Sequence, residues 1–152
     1  MKLFIASDHA GYELKEHLIN YLEENGVEVI DKGPFELDKT DDYPDWISLV
    51  AQEVSQHPDQ ARGIVIGYSG QGEAIVANKF RDVRAGVYYG YNQDIITLMR
   101  EHNNTNVLSL GAEFVSKEEA QRAVDAWIET QFSNDERHIR RIRKIREIDI
   151  RR

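Results

Sequence analysis

Apolar positions come in short runs, set between stretches with helical spacing. Leu3 to Ala6, Val27 to Ile30, Gly63 to Gly67, Ala85 to Tyr88 and Val107 to Leu110 read as five strands. Tyr12 to Asn25 reads as a helix, with Leu14, Leu18, Tyr21 and Leu22 on one face and Gly26 as its stop signal. Pro44-Asp45 opens a second helix that turns Ile47, Val50, Ala51 and Val54 inward and ends near Pro58. Glu73 to Phe80 and Asn92 to His102 are the third and fourth. Ser116, with Glu119 three residues on, has the capping-box pattern and starts a fifth that runs to about Phe132. A last helix begins near Asp135.

Strands alternating with helices predict an α/β fold: a three-layer, Rossmann-like parallel sheet of five strands covered on both faces. The near-continuous apolar run of the third strand marks it as central. The expected strand order is the flavodoxin-like 2-1-3-4-5, which opens a crevice at the carboxyl ends of strands one and three. Residues 1–133 are expected to form this domain. Residues 134–152 are expected to form an extended C-terminal helix packed on the domain or on a partner subunit.

Length and composition narrow the function. The 152 residues contain no cysteine, which excludes disulfides, thiolate catalysis and cysteine-held metal. No apolar run approaches the roughly 20 residues of a membrane helix, and Asp8 comes too early for a signal peptide. A cytoplasmic protein without membrane partners is expected. Charge is uneven: residues 137–152 carry a net +6, and the preceding 136 residues a net −14, within a chain total of −8. Ile139, Ile142, Ile145 and Ile148 recur every three residues along this basic tail. An apolar stripe with a cationic face fits docking on an acidic body, its own or a second subunit's, better than nucleic-acid binding.

The two expected crevice loops are rich in chemistry. The loop Gly67-Tyr68-Ser69-Gly70-Gln71-Gly72 leads from a strand into a helix. Glycines and free helix N–H groups there suit a phosphate or a developing oxyanion, although a plain tight turn would use the same residues. The spacing is neither a P-loop nor a dinucleotide fingerprint. Taken alone, Glu73 reads as a first-turn acid complementing the helix dipole, with a general base as the alternative. Asp8-His9 ends the first strand. His102-Asn103-Asn104 precedes the fifth, where a polar turn and a sugar-handling loop look alike. Arg137, His138 and Arg141 form a plausible phosphate grip.

Several separated motifs, in order, resemble one family. They are Ser7-Asp8-His9-Ala10-Gly11, Val29-Ile30-Asp31-Lys32-Gly33, Asp42-Tyr43-Pro44, Gly70-Gln71-Gly72, Ala77-Asn78-Lys79, Glu101-His102-Asn103-Asn104, Val124-Asp125-Ala126-Trp127 and Arg137-His138. Together they resemble the ribose-5-phosphate isomerase B and galactose-6-phosphate isomerase (RpiB/LacA/LacB) family over nearly the whole chain. The resemblance implies an aldose–ketose isomerase of a phosphorylated sugar that needs neither metal nor cofactor. It implies a homodimer or tetramer whose active sites are shared between subunits. Ribose 5-phosphate is the expected substrate; galactose 6-phosphate, allose 6-phosphate or another pentose or hexose phosphate is the alternative, as is a non-catalytic sugar-phosphate-binding homologue.

One branch of that family takes its base from a cysteine at the end of strand three, where this chain has Gly67. Another uses a glutamate in a Gly-Ser-Gly-x-Gly-Glu pattern, and Ser69-Gly70-Gln71-Gly72-Glu73 matches its last five residues. By this resemblance Glu73 is the base, with Ser69 and His102 as further catalytic residues, His102 protonating the ring oxygen. Asp8 would hold the sugar hydroxyls and Asn103 the enediolate region. Tyr43, Gly70, Gln71 and Gly72 would line the pocket, and His9, Arg137 and Arg141 would reach the phosphate. Two positions depart from the pattern. Glu113 stands where an arginine is usual, and Tyr68 where a glycine is usual. Glu113 is expected either to pair with an arginine away from the pocket or to mark a substrate that differs at the phosphate end. Tyr68 is expected to narrow or shield the pocket.

Overall fold

The computed structural model describes residues 1–150. Arg151 and Arg152, the last cations of the basic tail, lie outside the described residues. The chain forms β1 (Lys2–Ser7), α1 (Tyr12–Glu24), β2 (Val29–Asp31), α2 (Tyr43–Gln56), β3 (Ala61–Gly67), α3 (Gln71–Ala77), β4 (Ala85–Tyr88), α4 (Asp94–Glu101), β5 (Val107–Gly111), α5 (Lys117–Glu129) and α6 (Glu136–Ile150). All strand pairs are parallel.

The observed order is β2-β1-β3-β5-β4, which corrects the expected 2-1-3-4-5 at its far end. Burial explains the exchange. Every residue of β5 is buried, Ser109 included, whereas β4 is only partly covered along most of its length. The strand with two apolar faces takes the inner position and the half-covered one becomes the edge. The junction of β1 with β3 is as expected, so the crevice between their carboxyl ends is present.

Side-chain alternation divides the core in two. Leu3, Ile5, Ile64, Ile66, Leu108 and Leu110 face α1, α4 and α5, with Leu18 and Trp127 fully buried among them. Phe4, Ala6, Val65 and Val107 face α2 and α3, against Ile47, Val50 and Val54. Each such side chain contributes about 1.5–3 kcal/mol by leaving water. Trp127 keeps its indole N–H satisfied by donating to Thr105 Oγ1 at 3.0 Å. Ser116 caps α5 as its spacing predicts, its hydroxyl accepting the Glu119 amide at 3.1 Å. No described helix is long and apolar enough to cross a membrane.

The last helix, α6, is an arm rather than a packed layer. Its first turn is pinned by His138, buried beside the Glu101 carbonyl, to which Nδ1 donates at 3.3 Å. Further along, Arg146 pairs with Asp82 at 2.9 Å, and the Asp82 amide donates to Asp149 at 3.2 Å. The isoleucines do not form one stripe. A step of three residues turns a helix by about 300°, so each isoleucine is rotated about 60° from the last. Ile142 is half-buried against the body while Ile139, Ile145 and Ile148 stay exposed. The same geometry separates the expected phosphate grip: Arg137 and Arg141 share an exposed face, and His138 points inward.

Candidate active site

The carboxyl ends of β1 and β3 gather most of the expected residues. The Asp8 amide donates to the Ile66 carbonyl at 3.2 Å, joining the two strand ends. Asp8 is buried, and its carboxylate accepts the Gly11 amide at 3.1 Å at the start of α1. After β3, the chain turns through Gly70, whose φ of 77° suits glycine, and enters α3. Ser109 on β5 clamps that turn by donating to the Gly70 carbonyl at 2.6 Å. The Gln71 amide donates to Ser69 Oγ at 3.3 Å, a weak cap on the helix start. Tyr43 covers the loop from α2: a Cβ on Gly72 would lie 2.8 Å from its ring, so only glycine fits beneath it.

Glu73 is only 4% exposed. Its carboxylate does not face water as a dipole complement would. It folds back over the end of β3, where a Cβ on Gly67 would overlap Oε1 and Cδ. Burial pushes its pKa above the ordinary glutamate value, and the negative Asp8 adds to the rise; the Glu73 and Gly70 amides act against it. The result is a partly desolvated carboxylate, held by a short helix over a glycine loop.

His9 projects into the same edge of the sheet and is anchored by Asp41. Its amide donates to Asp41 Oδ1 at 3.0 Å, and its ring Nδ1 lies 2.6 Å from the same oxygen. Asp41 is in turn held by the Trp46 indole N–H at 2.9 Å. The hydrogen bond to Asp41 raises the His9 pKa, which favours a cationic imidazole beside the loop. Sequence reasoning missed Asp41, because Asp38, Asp41 and Asp42 crowd one polar loop and nothing in their spacing singles one out.

His102, Asn103, Arg137 and Arg141 are elsewhere. A loop that precedes a parallel strand lies at its amino end, so His102 and Asn103, just before β5, sit at the opposite edge from Glu73. The five residues of β5 alone separate the two edges by about 13 Å, far beyond the roughly 3 Å over which a proton passes. The resemblance assigns His102 and Glu73 to the same sugar; within one chain the two do not meet. His102 instead packs edge-on against His138, ring centroids 4.3 Å apart, so α4 and the start of α6 present His102, Arg137 and Arg141 as one group.

Tyr68 is 57% exposed and packs edge-on against Phe114, ring centroids 5.9 Å apart. Tyr89, Tyr91 and Phe114 wall a cavity of about 310 Å³ that opens onto Ser69 and Gln71. Glu113 is exposed in the loop after β5 and has no arginine partner among the described residues.

A buried carboxylate beside an oxyanion-ready loop, with an imidazole of raised pKa nearby, can move a proton next to a carbonyl on an anionic substrate. This is the class of site used in isomerisation. The chain belongs to the Ribose/Galactose Isomerase family, whose family model matches residues 3–145. It is 41% identical over 152 residues to ribose-5-phosphate isomerase B of Escherichia coli, covering 99% of this chain and 98% of that protein. To the isomerase B of Mycolicibacterium paratuberculosis it is 40% identical over 142 residues, covering 93% and 87%. Among solved structures, ribose-5-phosphate isomerase B from Mycoplasma genitalium with bound ribulose-5-phosphate superposes with a TM-score of 0.94 at 37% identity, covering 99% and 97%. That of Clostridium thermocellum superposes with a TM-score of 0.92 at 40% identity, covering 99% of each chain.

Proposed function

We propose that this protein interconverts ribose 5-phosphate and ribulose 5-phosphate in the cytoplasm, as a homodimer or higher assembly with shared active sites and without nucleic-acid partners. The observation that carries the reading is the buried Glu73 carboxylate, seated over Gly67 between Asp8 and the glycine loop. In the open-chain aldose, Glu73 takes the proton from C2. The C2–H electrons form the C1–C2 double bond of a cis-enediolate, and the carbonyl electrons move onto O1. Glu73 then returns the proton to C1 as O2 becomes the ketone and its hydroxyl proton passes to O1. First-turn amides of α3 face the developing oxyanion, where one such donor contributes about 3 kcal/mol. Asp8 orients the hydroxyls, Ser69 and Tyr43 border the reacting end, and Gly70, Gln71 and Gly72 let backbone approach it.

Ring opening needs an acid at the ring oxygen, and His9, held through Nδ1 by Asp41, is assigned to the phosphate. The partner subunit's His102 fills the gap, with the partner subunit's Asn103, Arg137 and Arg141 beside it. The exposed isoleucines of α6 and its cationic face supply apolar area and charge for docking against a second acidic body. Conversion assays on a panel of pentose and hexose phosphates test the reading. Ribose 5-phosphate is expected to be turned over best and unphosphorylated ribose poorly. Preference for a hexose 6-phosphate would favour the alternative that exposed Glu113 suggests, a substrate different at its phosphate end.

Asp41→Asn tests the phosphate end separately. Without the carboxylate the His9 pKa falls, so the imidazole loses its proton at lower pH. KM for the sugar phosphate is expected to rise several-fold near neutral pH while kcat stays within about twofold, the pattern of lost uniform binding. In the wild type the same rise in KM appears only at higher pH, as His9 deprotonates. A kcat loss at constant KM would assign His9 to the chemical step instead.

A further inference from the structure

The opposite edge of the sheet carries a second concentration of positive charge that the proposed mechanism does not use. Arg62 at the start of β3, Arg84 before β4 and Arg100 at the end of α4 line one cavity of about 150 Å³, with Asn104, Asn106 and Asp59. Their recorded hydrogen bonds go to neutral acceptors. Arg62 donates to the Ile128 carbonyl at 3.0 Å, Arg84 to the Asn104 carbonyl at 3.0 Å and the Asp82 carbonyl at 3.0 Å, and Arg100 to the Thr130 carbonyl at 3.2 Å and Asn104 Oδ1 at 3.0 Å. Among the described residues no carboxylate comes within ion-pair distance of any of the three. Among the described residues, Nη2 of each has no hydrogen-bond partner.

The carboxyl end of α5, which Arg62 and Arg100 cap, supplies about half a negative charge. Asp59 stands at the rim, and Asp82 and Asp149 also favour the Arg84 charge, with Asp82 paired to Arg146. Four guanidinium groups against these three carboxylates leave the region positive by about half a unit. Arg100 is 3% exposed, and burial pushes its pKa down to about 10, with Arg62 and Arg84 adding to the shift. Structural capping of α5 accounts for one side of two guanidinium forks. It does not account for three of them converging on an open cavity.

We infer that this arginine cleft is a second anion site, separate from the isomerase centre, that takes one tetrahedral oxyanion: inorganic phosphate or the phosphoryl head of a small phosphomonoester. The planar forks of Arg62, Arg84 and Arg100 suit bidentate oxyanion contacts, and the Asn106 and Asn104 amides complete a polar lining. The small cavity excludes a nucleotide, since pockets that bury such ligands run from about 300 Å³ upward.

The test reads the arginines themselves. The Nε–H resonances of Arg62, Arg84 and Arg100 are followed by nuclear magnetic resonance in the full-length protein, while inorganic phosphate or glycerol 3-phosphate is added against chloride at equal ionic strength. Saturable shifts with phosphate alone assign a free-anion site; saturable shifts with both assign a phosphoryl-head site. Asp59→Asn, an exposed change that removes one opposing rim charge, should tighten binding about threefold or more. Arg62→Lys, which keeps the charge and loses the fork, should weaken it several-fold. Unmoved resonances at about 50 mM phosphate, or an Asp59→Asn affinity equal to wild type, would overturn the inference. The proposed isomerase site draws Asn103 from this same edge, beside the Asn104 that Arg84 and Arg100 engage, so the titration is repeated in Arg137→Ala/Arg141→Ala: shifts that persist belong to the cleft, and shifts that vanish report the isomerase site and overturn the inference.

Discussion

Glu73→Gln is expected to lower kcat at least a hundredfold, about the scale of a positioned base, while KM for the sugar phosphate changes little. The same substitution should raise the melting temperature at neutral pH, because it replaces a buried carboxylate by a neutral side chain of equal size. The sign follows from linkage. The folded-state pKa of Glu73 lies above its unfolded value, so the folded protein holds a proton that the unfolded chain has released. Its stabilising contribution is complete below the ordinary glutamate range and is lost as pH rises through the folded-state value. The stability advantage of Glu73→Gln should therefore be absent in acid and grow on going to neutral pH. Wild-type kcat/KM should show an acid limb displaced upward from an ordinary glutamate. Near-normal turnover in Glu73→Gln would move the base elsewhere, with Asp8 the first candidate.

Mixing two inactive chains should restore activity. Glu73 and His102 stand at opposite edges of one sheet, so a site containing both must draw them from two chains. A Glu73→Gln chain and a His102→Asn chain, each nearly inactive alone, can form a mixed dimer. One of its sites then carries both changes and the other carries neither. Random exchange makes about half of the dimers mixed, with one intact site in each, so activity should return to about a quarter of wild type. A mixture as inactive as its components would place both groups in one chain's site. As a companion measurement, His102→Asn should impair cyclic substrate far more than an open-chain aldose phosphate, because its proposed task ends once the ring has opened.

Much of this was legible from residue pattern. The five strands and the β1–β3 crevice follow from apolar runs and right-handed crossovers. The motif from Ser69 to Glu73 falls on the β3–α3 turn, where its glycines are needed. What could not be read was set by tertiary competition. β4 and β5 are both short and apolar, and only the covering helices decide which is buried on both faces. The placement of His102 was inferable, since a loop before a parallel strand lies at the amino edge, yet the polar run His102-Asn103-Asn104 looks the same at either edge. Arg137, His138 and Arg141 are close in sequence, but one helical step of about 100° sends His138 into the body and leaves the arginines outside. Asp41 shows itself only through His9 and Trp46, which lie 32 and five residues away.

The overlap of Glu73 with the space above Gly67 has an evolutionary consequence. A side chain at 67, on the strand, and a long side chain at 73, on the helix, reach for the same point, so any residue larger than glycine at 67 would require the Glu73 carboxylate to swing away. On the reading that Glu73 is the base, the two positions are coupled and are expected to change together.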